Sequence, residues 1–319
     1  MPTVLITGGN SGIGFECVKH LATLGVDIVL AGRSALRLEE AATEIRKCSK
    51  PKVTNLVMDV SSLGAVRLAA ARCRKLIEMG EIDQLDAILC NAGATFRGDP
   101  SYSKDGYELT FATNYLGHFL LTQLLLDSLK DTGRVVFTAS GTHDPDTADG
   151  KLIGRAVRPD ALGLARTGLS DTTTLSGGQR YSTAKLCTVL HAYELDRRLK
   201  AVGAAISSVA YDPGAIAETG LLRDLPAELR ALIGSPPARW LMKKVGVTTG
   251  DLVLSGHALA DLAVSGPFTS GCYYQWNNGS LNQRRSAAMS YDTSLAETLW
   301  RDSENLVGLN LAERPARLT

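Results

Sequence analysis

The chain has 319 residues, 45% of them apolar and 21% charged, with a formal net charge of +1. That balance is typical of a soluble globular protein: it excludes nucleic acid gripped by bulk positive charge, and the length suits one large α/β unit with a sizeable core. Cys17, Cys48, Cys73, Cys90, Cys187 and Cys272 show no C-x-x-C spacing and no histidine cluster accompanies them, so no metal site and no disulfide framework is expected and a reducing cytoplasm fits.

The first residues run as a strand directly into glycines, and no targeting segment or spanning helix is expected ahead of them. Val4-Leu5-Ile6 is the short apolar run of a doubly buried parallel strand, followed by Thr7-Gly8-Gly9-Asn10-Ser11-Gly12-Ile13-Gly14 and an amphipathic stretch through Leu24. Strand, glycine turn and helix make a dinucleotide-binding unit. Gly8, Gly12 and Gly14 allow a tight turn and a close approach to a pyrophosphate at the helix N-terminus, with Asn10, Ser11 and Ile13 in the same turn.

A second strand, Asp27 to Ala31, ends at Gly32-Arg33-Ser34. Where an NAD site places an acid for the ribose 2′-hydroxyl, this chain has Arg33, then Arg37, and no acid before Glu39. Two arginines suit a 2′-phosphate, so NADPH is the preferred cofactor, although Arg37 also reads as a solvated helix charge. Strands over 53–58 and 87–90 end in Asp59-Val60 and Asn91-Ala92-Gly93, both on the carboxyl edge where open α/β sheets bind ligands. Asp59 is placed for an adenine amino group; Asn91-Ala92-Gly93 lies beside the cofactor ribose or is a plain turn. A long helix is expected over 108–129, in which Asn114 either bonds a neighbouring carbonyl or holds a water linked to Lys185.

Arg134 to Ala139 reads as a fifth strand, and Ser140 after it as either a turn cap or a partner for a substrate carbonyl and a phenol. The stretch 141–180, rich in Asp, Gly and Thr with little periodicity, is expected to be an unstructured wall or flap over a substrate cavity, with His143 a polar loop residue. Tyr181 and Lys185 then open a helix to about Leu199, four residues apart on one face. A free phenol titrates near about 10, and the neighbouring ammonium is expected to lower that value and make an acid–base pair. A sixth strand over 205–210 leads to a Pro-Gly turn, where the backbone of Pro213, Gly214, Ile216 and Thr219 is expected to receive a nicotinamide carboxamide. Residues 226–245 read as a helix pair broken at Pro236-Pro237 that packs on the core, with a membrane-surface face left open. Helices over about 249–264 and 293–307 flank a strand near 272–276.

Taken in order, Thr7–Gly14, Asn91-Ala92-Gly93, Asn114, Ser140 and the Tyr181/Lys185 pair resemble the short-chain dehydrogenase/reductase family. The resemblance implies an α/β fold, a Rossmann-type doubly wound parallel sheet flanked by helices, forming one domain over 1–319. Residues 1–140 would be mainly cofactor-binding, 141–180 a substrate flap, and 181–319 the catalytic helix and substrate side. It also implies an NADPH-dependent oxidoreductase with a tetrad of Asn114, Ser140, Tyr181 and Lys185. Within the family, Gly106-Tyr107-Glu108-Leu109, Asn114 to Leu121, Pro213 to Leu221, Gly271 to Asn278 and Leu299 to Leu309 are similar to the light-dependent protochlorophyllide oxidoreductases. That likeness implies reduction of a ring C=C bond of a tetrapyrrole, with Tyr181 delivering the proton; Ala215 stands where that subfamily usually has cysteine. The alternative is a dark carbonyl or alcohol oxidoreductase acting on an apolar, retinoid- or steroid-like substrate. A non-catalytic NADPH-binding regulator is disfavoured by the intact Ser140, Tyr181 and Lys185. The partner expected is a small apolar or tetrapyrrole substrate and not nucleic acid, while a homo-oligomer and peripheral membrane contact stay open.

Overall fold

A computed structural model of the chain describes residues 1–48, 51–169, 172–216, 235, 244, 246–266 and 268–318. The apolar strands pair as one eight-stranded sheet: β1 (Thr3–Thr7), β2 (Asp27–Gly32), β3 (Val53–Val57), β4 (Leu85–Cys90), β5 (Leu129–Thr138), β6 (Ser207–Asp212), β7 (Tyr273–Asn277) and β8 (Ser280–Arg284). The spatial order is β3-β2-β1-β4-β5-β6-β7-β8, parallel throughout except for the final β7/β8 pair. Strands apolar on both faces need cover on both, and the alternation along β1 shows how they get it. Val4 and Ile6 enter one core with Cys17, Leu21 and Leu259; Leu5 enters the other with Val66, Phe119, Leu190 and Trp300. The second core also swallows His191, whose ring lies 4.5 Å from that of Phe137 and 5.1 Å from that of Phe119, and burial holds it neutral, down at about 3.

Three expectations are corrected here. The stretch 108–129 is not one α-helix: Leu109–Phe111 passes into a π turn over Ala112–Leu116, resumes as Gly117–Leu125 and ends in a 3-10 turn at Leu126–Ser128. β5 begins at Leu129 rather than Arg134, because Leu129 already pairs with Leu85 before a register shift lets Arg134 pair with Ala87. Residues 141–180 are not structureless either. They hold a 3-10 turn (Gly141–His143) and helices Ala148–Ile153 and Ala161–Arg166, the latter two capped by Thr147 and Asp160.

The helix carrying Tyr181 starts earlier than expected, at Gly177, and runs to Ala201. Ser176 and Gln179 form a reciprocal capping box that fixes its entry. Strand β8 had a readable signal that the sequence analysis passed over: Asn278 and Gly279 both take positive φ (50° and 83°), the two-residue turn that an Asn-Gly pair favours between antiparallel strands. The helix pair expected over 226–245 falls almost wholly outside the described residues, as does Thr219.

Candidate active site

The carboxyl ends of β1, β2, β4, β5 and β6 open into one cavity of about 1040 Å³. Its nucleotide end is built largely by the backbone. Gly8 and Gly12 take positive φ (67° and 57°), and a Cβ on Gly14 would stand 2.5 Å from the Gly8 carbonyl and the Asn91 amide, so side chains are kept out of the turn. Thr7 joins the two central strand ends: its Oγ1 accepts from the backbone amides of Asn91 (3.0 Å) and Ala92 (2.9 Å), while Asn91 Nδ2 donates to the Thr7 carbonyl at 3.0 Å. Arg33, Arg37, Asp59 and Val60 line the same end, with Asn10, Ser11, Ile13 and Gly93. Arg33 and Arg37 are exposed and make no ion pair among the described residues. Asp59 turns its Oδ1 back to accept from Ser61, and Gly117 leaves room for the Val60 carbonyl, which a Cβ there would strike.

The chemical end draws on segments far apart in the chain. Asn114 sits in the π turn, 2% exposed, and clamps Ala94: Nδ2 donates to the Ala94 carbonyl (2.7 Å) and the Thr110 carbonyl (2.9 Å), and Oδ1 accepts from the Ala94 amide (3.1 Å). These bonds realise the structural one of its two readings. Ser140 caps the turn after β5, its Oγ accepting from the Thr142 amide at 3.4 Å and the Thr142 hydroxyl at 3.1 Å, and it lines the cavity with Tyr181. Lys185 reaches under the sheet edge, where Nζ donates to the Thr138 carbonyl at 2.7 Å. A Cβ on Gly93 would lie 2.7 Å from Asn114 Oδ1 and 3.5 Å from Lys185 Nζ, so Asn114, Lys185 and the β4 end converge on a spot only glycine leaves open.

The electrostatics reverse one expectation. Tyr181 is 4% exposed, and burial pushes its phenol well above the ordinary value, more than a hydrogen bond with Ser140 lowers it; the charge of Asp212 raises it further. The pull of the nearby Lys185 ammonium, which favours the phenolate, is outweighed by burial. The ammonium lies 5.8 Å from the Tyr181 ring centroid, and burial pulls it down to about 8 while Asp212 opposes the fall. At neutral pH the phenol is a protonated donor beside a cation.

Other features escaped the sequence analysis. Arg180, the residue before Tyr181, is buried against Glu108 at 3.0 Å, with both side chains 1% exposed. Its remaining donors reach the carbonyls of Leu175, Phe96 and Gly98, while Glu108 accepts from the Phe111 amide at the start of the Asn114 helix. One ion pair thus ties the Tyr181 helix, the Asn114 helix and the Phe96 wall together; the signal was an acid at a helix N-cap. His143 is buried, not a polar loop residue: Nδ1 donates to the Ser140 carbonyl (2.7 Å) and Nε2 accepts from the Ala287 amide (3.1 Å), which fixes a neutral tautomer. Pro213, Gly214 and Ile216 line the cavity, but the amide and carbonyl of Ala215 between them already bond Thr248 and Gly250.

Residues 2–147 match the family model described as short chain dehydrogenase. Over 326 residues the chain is 32% identical to the chloroplastic protochlorophyllide reductase of Daucus carota, covering 96% of this chain and 78% of that protein. The chain belongs to the short-chain dehydrogenase/reductase family. A second relative, the chloroplastic protochlorophyllide reductase of Pisum sativum, is 33% identical over 323 residues, with the same coverage of 96% and 78%. Among solved structures, an uncharacterized protein from Mycobacterium paratuberculosis superposes with a TM-score of 0.66 at 26% identity, over 97% of this chain and 94% of that one. A blue fluorescent protein from a metagenomic library, solved in complex with NADPH, shares the fold with a TM-score of 0.61 at 21% identity, over 87% of this chain and 97% of that one.

The chain is therefore an oxidoreductase of the short-chain dehydrogenase/reductase type. Its nucleotide end fits NADPH on its own terms: a side-chain-free glycine cradle at a helix N-terminus for the pyrophosphate, and two exposed guanidinium groups, without an ion pair among the described residues, at the β2 end for a 2′-phosphate. No described helix is long and apolar enough to cross a membrane.

Proposed function

We propose that this protein is a light-dependent protochlorophyllide oxidoreductase that reduces a ring C=C bond of the tetrapyrrole with NADPH. The observation that carries this reading is the identity of 32–33% to proteins named protochlorophyllide reductase across 96% of the chain. The cavity supports it: about 1040 Å³ lies at the top of the roughly 300–1,000 Å³ range of small-ligand sites, and Phe96, Leu109, Leu152 and Ile153 give its substrate side an apolar wall.

Gly8, Asn10 to Gly14, Arg33, Arg37, Asp59, Val60 and Asn91 to Gly93 would hold the cofactor along the carboxyl edge, with Pro213, Gly214 and Ile216 at its nicotinamide end. When bound, NADPH supplies the hydride. Tyr181, kept protonated by burial, donates its phenolic proton to the neighbouring substrate carbon, and Lys185 beside it balances the phenolate left behind. Ser140 orients the phenol, and Asn114 holds Ala94 and the β4 end in place around Lys185.

The test mixes purified protein with NADPH and protochlorophyllide and records absorption before and after illumination. A red-shifted product band that forms only in light is the expected result. No such band, together with dark turnover of an apolar ketone, overturns this reading in favour of a carbonyl reductase. Ala215, which offers no thiol in the cavity wall, favours that second reading.

A further inference from the structure

Beside the Tyr181/Lys185 pair the cavity holds a carboxylate that the steps above leave without a role. Asp212, the last residue of β6, is 1% exposed and lines the cavity with Ser140, Tyr181 and Lys185. Three donors fix it. Oδ2 accepts from the Tyr273 hydroxyl and from Gln275 Nε2, each at 2.8 Å, and Oδ1 accepts from the Gly214 amide at 2.9 Å. All three donate hydrogen bonds to the carboxylate oxygens and hold the side chain in one orientation. The Tyr273 ring packs in turn against the neutral His143, tilted by 44° with centroids 4.8 Å apart.

A buried anion beside a buried cation and a phenol has one electrostatic consequence. It stabilises the ammonium over the amine and the phenol over the phenolate, and in a water-poor cavity the effect is large. We propose that Asp212 is a positioning residue of the reaction, an internal counter-ion that acts through Lys185 and Tyr181 and holds both protonated until the substrate is reduced. This rests on the reading of Tyr181 as proton donor. The other groups facing Asp212, among the described residues, are Tyr273 and Gln275 on β7, His143 in the turn after β5, and Asp149 on the Ala148–Ile153 helix, while its strand neighbour Tyr211 points to the opposite face and feels its charge. Asp149 Oδ2 and Asp212 Oδ2 lie 2.8 and 3.2 Å from the point a Gly141 Cβ would occupy. Burial pushes the Asp149 carboxyl up, its bond from Thr248 lowers it, and Asp212 raises it again.

The test is kcat against pH from 6 to 10 at saturating NADPH and substrate, with NADPH affinity measured alongside. In the wild type, activity falls on the alkaline side as Lys185 loses its proton near about 8. In Asp212→Asn the alkaline limb moves down by about one pH unit, so the rate above the limb drops about tenfold while the acidic plateau is kept. Asp212→Glu, which keeps the charge, leaves the limb in place. So does Tyr273→Phe, which disturbs the same packing without removing the anion. Should the asparagine variant fail to bind NADPH, Asp212→Ser, a smaller neutral acceptor, carries the same expectation. A uniform fall in rate at every pH with an unmoved limb makes Asp212 a packing residue and overturns the proposal. Tyr181→Phe separates the two levels. If it stays active, the proton-donor reading fails; if it is inactive and the Asp212 variants leave the limb where it was, only the counter-ion role fails.

Discussion

The two ends of the cavity are made by different physics. The nucleotide end is a matter of backbone: glycines with positive φ, a helix N-terminus, and one threonine that joins adjacent strand ends within the first 92 residues. The chemical end is a matter of polar side chains gathered from residues 108, 114, 140, 180, 185 and 212, all but Ser140 buried and each of those bonded to a partner distant in sequence. The first end tolerates changes in its surroundings but not an added Cβ. The second tolerates little, because each polar group there is buried against the others and loses a partner when one is removed.

The largest effect that divides the two ends is expected from Tyr181→Phe. It removes the proton donor and lowers kcat by about 10²–10⁴-fold, while NADPH fluorescence titration shows unchanged binding; loss of binding as well would mean that the ends are not separable. Next comes Glu108→Ala, which leaves the Arg180 guanidinium buried without its carboxylate. Urea unfolding should show a loss of about 3–5 kcal/mol, although neither residue touches the cofactor cradle. A smaller loss would show that water reaches Arg180 and that the hub is looser than its bonds suggest. Gly14→Ala sharpens the comparison from the other side. A methyl 2.5 Å from the Gly8 carbonyl forces the turn open, so NADPH affinity should fall about tenfold and the urea midpoint should drop with it, in line with about 1–3 kcal/mol of overpacking. The smallest effect is expected from Arg33→Ala combined with Arg37→Ala: a preference for NADPH over NADH reduced by about threefold to tenfold, and less at high salt, since both guanidinium groups are exposed.

Legibility followed the same division. The glycine turn, the first four strands and the Tyr181/Lys185 spacing were readable because apolar period and glycine chemistry act over a few residues. The π turn at Ala112–Leu116 was not, since nothing in its residues departs from a helical pattern and its irregularity is supported by the Ala94 clamp. The short helices within 141–180 were missed because six residues show too little periodicity, although Thr147 and Asp160 stood in capping positions. Arg180 and Asp212 were visible as residues and invisible as site members. Nothing local marks an arginine before a tyrosine or an aspartate before Pro-Gly as buried; the fold does that by removing water from around them.

By itself, then, the sequence determined the type of sheet, the strand, glycine turn and helix that open it, and the placing of Tyr181 and Lys185 on one helix, because turns, periods and i,i+4 spacing are local properties of the chain. The tertiary structure alone decided the state of that pair. Burial and the charge of Asp212, which lies 31 residues beyond Tyr181 and reaches it across the sheet edge, turn the phenol from the acidified group its neighbour suggested into a protonated donor. Solvation is set by the whole fold, so proton affinity in a cavity is not written in any short stretch of residues.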